Sequence, residues 1–521
     1  MSARRHAFTL VFAACLAATA LPLWMGRHLP AVDAPQHLFL IHVLGHLDDP
    51  ALPFGEVYQA RPGLTYLTAY YGIRALAALG GVERALQVWL TLVILAIPLS
   101  LLALLKALNK SPWLALLACP LAYTDNFYWG LISFLSALPL TLLSLACFAM
   151  ALEAPAGSPR SRWATLGSAA SLFMLQLTHA AAMILPALAL PLLLATTPSD
   201  GRRRARALAS LAPGVALFLG WLLSGVNRGR QMGAPGEPWK ASAPLFHREN
   251  FAFHPLSEKV GQFPELLSNG FWGWADRPAI WAVAGAAALA LASALLLRQR
   301  GPPDAPRIAR LRPLLLFGLA LTYYLFLPMD VNGYMYSIYP RYAQVAALLA
   351  IPALPFPRPP LEKLAAAAAA LVSVYSGGNL AVLFQRFDAE AENFEVVARA
   401  LPRGARVMHL VTDWSSRHAT HAVYLHYAAL AALRAEGVPS FSLATDPSFP
   451  VGYRQGRKPP AAAWEWHPER FSWTDHALWY DYFLARGDLA AQALFGAHAA
   501  DVELAARADR WQLYKRRSAS P

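Results

Sequence analysis

The 521-residue chain is poor in charge: Asp, Glu, Lys and Arg make up only 14% of it, against about 25% in an ordinary soluble protein. That shortage excludes a soluble globular protein of this length. Only three cysteines are present, Cys15, Cys119 and Cys147. All three lie in apolar stretches, so neither a disulfide framework nor a zinc-type Cys/His spacing is available. There is no Gly-rich phosphate fingerprint, no nucleophile elbow and no internal repeat. Few charges fall within the long apolar stretches, which argues against an ion or proton pathway through the membrane.

What is present is apolar. Hydrophobic residues make up 56% of the chain and mean hydropathy is +0.36. Stretches long enough to cross a bilayer, roughly 17 residues or more, recur from Phe8 to Phe384. The reading is a mainly α, polytopic membrane bundle of about eleven crossings over residues 1–384. A small soluble α/β domain follows over 385–521, where His, Asp, Arg and Trp become frequent. The start resembles a signal peptide, with Arg4-Arg5 before an apolar run. That run continues to Met25, which favours an uncleaved first helix.

The net charge of +13 resides largely in short turns, such as Arg202-Arg203-Arg204-Ala205-Arg206 and the stretch from Arg298 to Arg312. Basic turns of this kind mark the cytoplasmic side, so the charge reports topology and no nucleic-acid partner is expected. The count places the N-terminus inside and the C-terminal domain outside a bacterial-type inner membrane. Loops at 27–84 and 227–277 fall on the outer side, and 163–197 forms a hairpin with His179 near its outer turn. Crossings are expected at 111–124 and 128–152. The run 64–80 carries Arg74, Thr65, Thr68 and three tyrosines, which suits a helix lying in the interface rather than spanning.

Three polar positions sit at outer ends of apolar stretches. The first loop reads Leu29-Pro30-Ala31-Val32-Asp33-Ala34-Pro35-Gln36-His37-Leu38, a second acidic position lies in Thr124-Asp125-Asn126-Phe127-Tyr128-Trp129-Gly130, and an arginine sits among tyrosines in Tyr339-Pro340-Arg341-Tyr342. This arrangement resembles the GT-C superfamily, the integral membrane glycosyltransferases that use polyprenyl-phosphate sugars, such as the protein mannosyltransferase and aminoarabinose transferase families. The resemblance implies transfer of a sugar from a lipid-linked donor to an envelope glycan, lipid or protein acceptor at the outer face. It implies for Asp33 the role of a base toward the acceptor or of a metal ligand, and Asp33 is assigned as the catalytic base, since a carboxylate can take a hydroxyl proton. Asp33 before Ala34-Pro35 also reads as a helix N-cap.

Substrate-binding candidates are His37, one turn from Asp33, together with Asp125, Arg341, Tyr339 and Trp272. Asp125 also reads as a helix cap. Arg341 suits a carrier phosphate through bidentate hydrogen bonds, or snorkels to the interface. Tyr339 also fits an aromatic belt. Trp272 belongs to an aromatic- and charge-rich loop with Trp239, Lys240, His247 and Trp274. No metal ligand set is assigned. A divalent metal stays possible as a cofactor, although Asp125-Asn126 stands where metal-dependent members carry paired carboxylates. In the C-terminal domain, strands are expected at 405–411, 440–444, 478–485 and 511–515, with a helix over 421–436. His409, Asp413, His418 and His421 cluster between strand and helix, where a solvated helix start is the favoured reading. The domain is expected to cover the site or select acceptors. Two other classes fit the sequence: a transporter or flippase of lipid-linked saccharide, and a non-catalytic scaffold displaying its C-terminal domain. A scaffold would leave Asp33 exposed and unpartnered.

Overall fold

The computed structural model describes residues 2–61, 63–155, 157–228, 248–296, 307–331, 335–355, 361–460 and 465–517. Trp239, Lys240, His247 and the first part of the basic stretch from Arg298 to Arg312, residues 298–306, lie outside them. The apolar runs fold as helices whose starts carry the expected signals. Ser158 precedes Pro159 and accepts from the Ser161 N–H, and Asp200 accepts from the Arg203 N–H at 2.8 Å, each satisfying one of the amides a helix start leaves unpaired.

Among the described residues, four helical stretches are long and apolar enough to cross a membrane: Arg5–Trp24, Gly81–Ala107, Ile132–Glu153 and Lys363–Ala398. A fifth is a bent pair, Gly201–Ala209 with Ala212–Ser224, kinked by 41°. The expected crossing at 111–124 departs from α geometry. Pro112–Ala118 and Pro120–Ala122 are 3₁₀ helices, with a proline opening each and the intervening residues buried by neighbouring helices. Irregular backbone at such depth is tolerated when protein, not lipid, surrounds it. Residues 159–196 form the hairpin of two helices with His179 at its turn. The helix in the 64–80 run, Leu67–Ala77, has eleven residues, about half of what a crossing requires.

The final long helix, Leu361–Ala398, continues past Phe384. Its Gly377 faces the first helix so closely that a Cβ there would lie 2.2 Å from the Ala18 carbonyl oxygen. Beyond it lies a five-stranded mixed sheet of β1 (Arg406–Val411), β2 (Val438–Pro439), β3 (Tyr482–Arg486), β4 (Val502–Ala508) and β5 (Trp511–Arg516), in the order β2-β1-β3-β5-β4. The pairs β1–β2 and β1–β3 are parallel, and β3–β5 and β4–β5 antiparallel. The strand expected at 440–444 ends after one further ladder bond, Ser440 N to Val407 O at 2.9 Å, because Ser442 then caps a 3₁₀ turn. The helix expected over 421–436 is shorter, Tyr427–Arg434. Strand β4 escaped the sequence reading, since its largely exposed face carries no apolar alternation.

The domain is tied to the first loop by an antiparallel ribbon of Tyr58–Ala60 with Val451–Tyr453. A second tie is ionic. Arg434 bonds Glu395 and Glu83 at 2.8 Å each, and Arg27 joins Glu83 at 2.9 Å. The imidazole of His28 lies between Asp388 at 3.0 Å and Glu395 at 3.1 Å.

Replacing Gly377 by Val forces the first and last membrane helices apart. Overpacking of this kind costs ~1–3 kcal/mol, and a lowered thermal unfolding midpoint in detergent, relative to a valine at the adjacent exposed Gly378, whose Cβ would meet nothing within 4 Å, checks it.

Candidate functional site

Asp33 stands at the N-cap position of the Ala34–Gly45 helix, yet its side chain makes no capping bond. Its carboxylate turns instead to the C-terminal domain, where Oδ1 lies 3.1 Å from His426 Nε2. The other ring nitrogen of His426 meets a second carboxylate, Glu465 Oε2. Gln36, three residues along the Asp33 helix, donates to Glu465 and accepts from the Leu443 N–H. The side chain of Asp33 is 24% exposed and that of His426 8%, so one end of this run opens outward. Burial would lower the basicity of His426. The Glu465 charge and the bond to Asp33 more than offset it, and the imidazole is pushed up to about 10.

Asp125 follows the same pattern. Its Oδ1 lies 2.9 Å from His421 Nε2, with both side chains largely buried. The loop bearing His421 is therefore packed against the membrane domain, not solvated. The Trp272 N–H donates to His418 O and its indole N–H to Ser416 O, both at 2.9 Å. Trp272 thus brackets this loop while 55% of its surface stays exposed.

The two acidic segments touch. Val32 N and Asp33 N donate to the carbonyls of Tyr128 and Trp129. Gly130, at φ +78°, passes so near that a Cβ would lie 2.8 Å from Asp33 N, which only glycine permits at that φ. Asn126 then donates to the Arg341 carbonyl at 3.2 Å and to Gln344 at 2.9 Å. A second path runs along side chains. His37 Nδ1 lies 2.8 Å from the Tyr70 hydroxyl, Phe449 packs against His37, Tyr70 and Tyr66, and the Tyr66 hydroxyl lies 3.2 Å from His179 Nε2. Arg341 Nη1 donates to that same nitrogen at 2.9 Å. Asp33, Asp125 and Arg341 therefore belong to one connected cluster.

Within it, roles differ from what the residue types alone imply. Burial pushes His37 down to about 4, outweighing the opposing pull of Asp33, so it is a neutral dipole at physiological pH. Arg341 already donates to Ser337 O, Tyr336 O and His179, leaving at most two of its five N–H groups for a ligand. The Tyr339 hydroxyl donates to Gln262 at 2.7 Å, and Lys259 sits over its ring at 4.2 Å. Tyr339 thereby fastens the Leu256–Leu267 helix to the Ile338–Ala350 helix. His426 and Glu465 escaped the sequence reading, since neither lies in a motif or beside another polar candidate.

Asp33 and Asp125 do not gather a metal ligand set. Among the described residues, the one group of three potential ligand atoms within 4.8 Å of each other is His28, Asp388 and Glu392. Both ring nitrogens of that histidine are engaged by carboxylates, so it does not present a lone pair to a cation.

The arrangement of a helical bundle topped by a mixed-sheet domain is shared with solved structures. No family model and no curated protein matches the chain. Among solved structures it is similar to ArnT from Cupriavidus metallidurans in the apo state, at 12% identity and TM-score 0.58 over 98% of each chain. It is also similar to ArnT from the same organism bound to undecaprenyl phosphate, at 13% identity and TM-score 0.56 over 97% of each. At these identities the likeness concerns the fold.

The ionic tie at His28 predicts a pH dependence. Burial lowers the basicity of this histidine, but hydrogen bonds and charge from Asp388 and Glu395 lift it to about 8. A folded value above the unfolded one stabilises fully below pH ~6.5, and that contribution is lost as pH rises through about 8. The unfolding midpoint should fall between pH 6.5 and 9, and H28Q should flatten this slope; an equal slope in H28Q refutes the assignment.

Proposed function

We propose that the chain is a membrane glycosyltransferase that moves a sugar from a polyprenyl-phosphate carrier to an acceptor at the outer face of the membrane. The observation that carries this reading is the carboxylate of Asp33. It is excused from capping its own helix and held by His426 at the mouth of the cluster. A structural neighbour of the same fold has undecaprenyl phosphate bound, which supports a lipid phosphate as the donor's leaving end. A scaffold would have no use for a partnered, partly buried carboxylate here.

In the proposed reaction, Asp33 accepts the proton of an acceptor hydroxyl while that oxygen forms a bond to the anomeric carbon. The bond from that carbon to the carrier phosphate breaks, and the electron pair leaves with polyprenyl phosphate. With Oδ1 on His426, Oδ2 is the atom left for the acceptor. Asp125 with His421 flanks the acceptor, the N–H groups remaining on Arg341 meet the phosphate, and the exposed face of Trp272 offers a stacking surface. His37 holds Tyr70 in place. No step requires a metal.

In native mass spectrometry, the purified protein should retain undecaprenyl phosphate in preference to undecaprenol; equal retention of both would sink a phosphate-dependent site. D33N should keep that preference but lose transfer from labelled undecaprenyl-phosphate-linked sugars by at least ~100-fold, the low end for loss of a general base. The proposed orientation expects a reporter fused after Arg517 to be active outside the cytoplasm, and activity inside would reverse the topology.

A further inference from the structure

The C-terminal domain brings an imidazole and a second carboxylate, His426 and Glu465, to the proposed base. His426 Nε2 lies 3.1 Å from Asp33 and its Nδ1 meets Glu465. Both ring nitrogens therefore face acceptor oxygens. Three proton placements satisfy that geometry: an imidazolium between two carboxylates, a neutral imidazole accepting from Glu465, or a neutral imidazole accepting from Asp33. In the first two, Nε2 carries its proton and donates to Asp33. Glu465 is fixed by Gln36, and its Oε1 is buried without a partner among the described residues, so it holds His426 from behind with little freedom to turn away.

We propose that His426 and Glu465 are positioning residues of the transfer site, holding the Asp33 carboxylate rotated so that one oxygen faces the acceptor. The proposal rests on the reading of Asp33 as base. The pattern is the familiar logic of a base oriented by a third group. The imidazole fixes the rotamer of Asp33 through Oδ1, and Glu465 fixes the imidazole. The other ionisable groups facing His426 are His37 and His409. Burial lowers the basicity of both, and His409 Nε2 is taken by the Leu425 carbonyl at 2.7 Å, so neither supplies charge. His426 itself stands at the N-cap of Tyr427–Arg434 without a side-chain capping bond, released from that local role as Asp33 is from its own. The C-terminal domain thus takes part in the chemistry in addition to covering it.

The experiment separates positioning from a merely structural role. In steady-state assays of the full-length protein in detergent, H426A should lower kcat at least ~100-fold, the low end for disabling a general base, with KM for the donor nearly unchanged. Parental kcat in H426A with parental thermal stability overturns the proposal. H426Q restores a donor without charge and guards against misfolding: with undecaprenyl-phosphate-linked sugar as donor, kcat should drop at least ~10-fold with KM nearly unchanged. In E465Q the alkaline limb of the pH–rate profile should move to lower pH, because His426 loses its counter-charge. Activity that rises in H426A would instead mark the contact as a latch and overturn the proposal. Undiminished transfer by D33N overturns the proposed function and the positioning role of the pair, even where H426A is impaired.

Discussion

Two carboxylate–imidazole contacts across the seam between membrane domain and C-terminal domain constrain everything around them. Asp33 and Asp125 come from the helical bundle, while His426 and His421 come from the mixed-sheet domain. A buried ion stripped of its partner costs several kcal/mol, so neither half is comfortable alone. The surrounding ties serve the same seam: the Tyr58–Ala60 ribbon with Val451–Tyr453, the Trp272 bracket on Ser416 and His418, and the network of Arg27, Glu83, Glu395 and Arg434. Together they hold the domain in the one pose that delivers both imidazoles.

The backbone accepts strain to keep the cluster assembled. Tyr66 at φ 61° and Ser337 at φ 52° are left-handed N-caps of the Leu67–Ala77 and Ile338–Ala350 helices. Each such residue costs of order 1–3 kcal/mol, and each is held by bonds from the cluster. The Tyr66 N–H donates to Thr178 O while its hydroxyl reaches His179. The Ser337 carbonyl receives Arg341 Nε. Strain and site therefore coincide: the turns that force φ positive are those that aim Tyr66 and Arg341 at one another through His179.

The membrane class was legible because apolar runs and basic turns are local and repeated, and the bundle's long helices follow them. The place of Asp33 was legible because a helix start after a long apolar run is a local event. What Asp33 does there was not, since capping and partnership use the same residue type and only the fold selects between them. His421 stood out in the sequence within a polar cluster, but its partner Asp125 lies 296 residues away, and solvent was the reasonable default. His426 and Glu465 gave no signal, because an isolated histidine inside a helix-like stretch is ordinary. The 3₁₀ path at 112–122 was likewise hidden: its composition is that of any crossing, and only the way neighbours enclose it permits the tighter winding.

The electrostatic polarity of the cluster gives the proposed reaction a direction. At one end Asp33, His426 and Glu465 sum to a net negative charge wherever the shared proton sits. At the other, Arg341 is the cation, and His179 accepts its proton-bearing nitrogen without adding charge. Between them lies a floor of Tyr70, Phe449 and Tyr66 with neutral His37. An anionic carrier is repelled from the first end and drawn to the second, whereas a neutral hydroxyl acceptor is penalised at neither. Under the proposed reading, the phosphate lies toward Arg341 and the anomeric carbon toward Asp33. The remaining donors of Arg341 can hold a phosphate but cannot enclose it. That suits a leaving group, since carrier phosphate bound too firmly would be slow to depart.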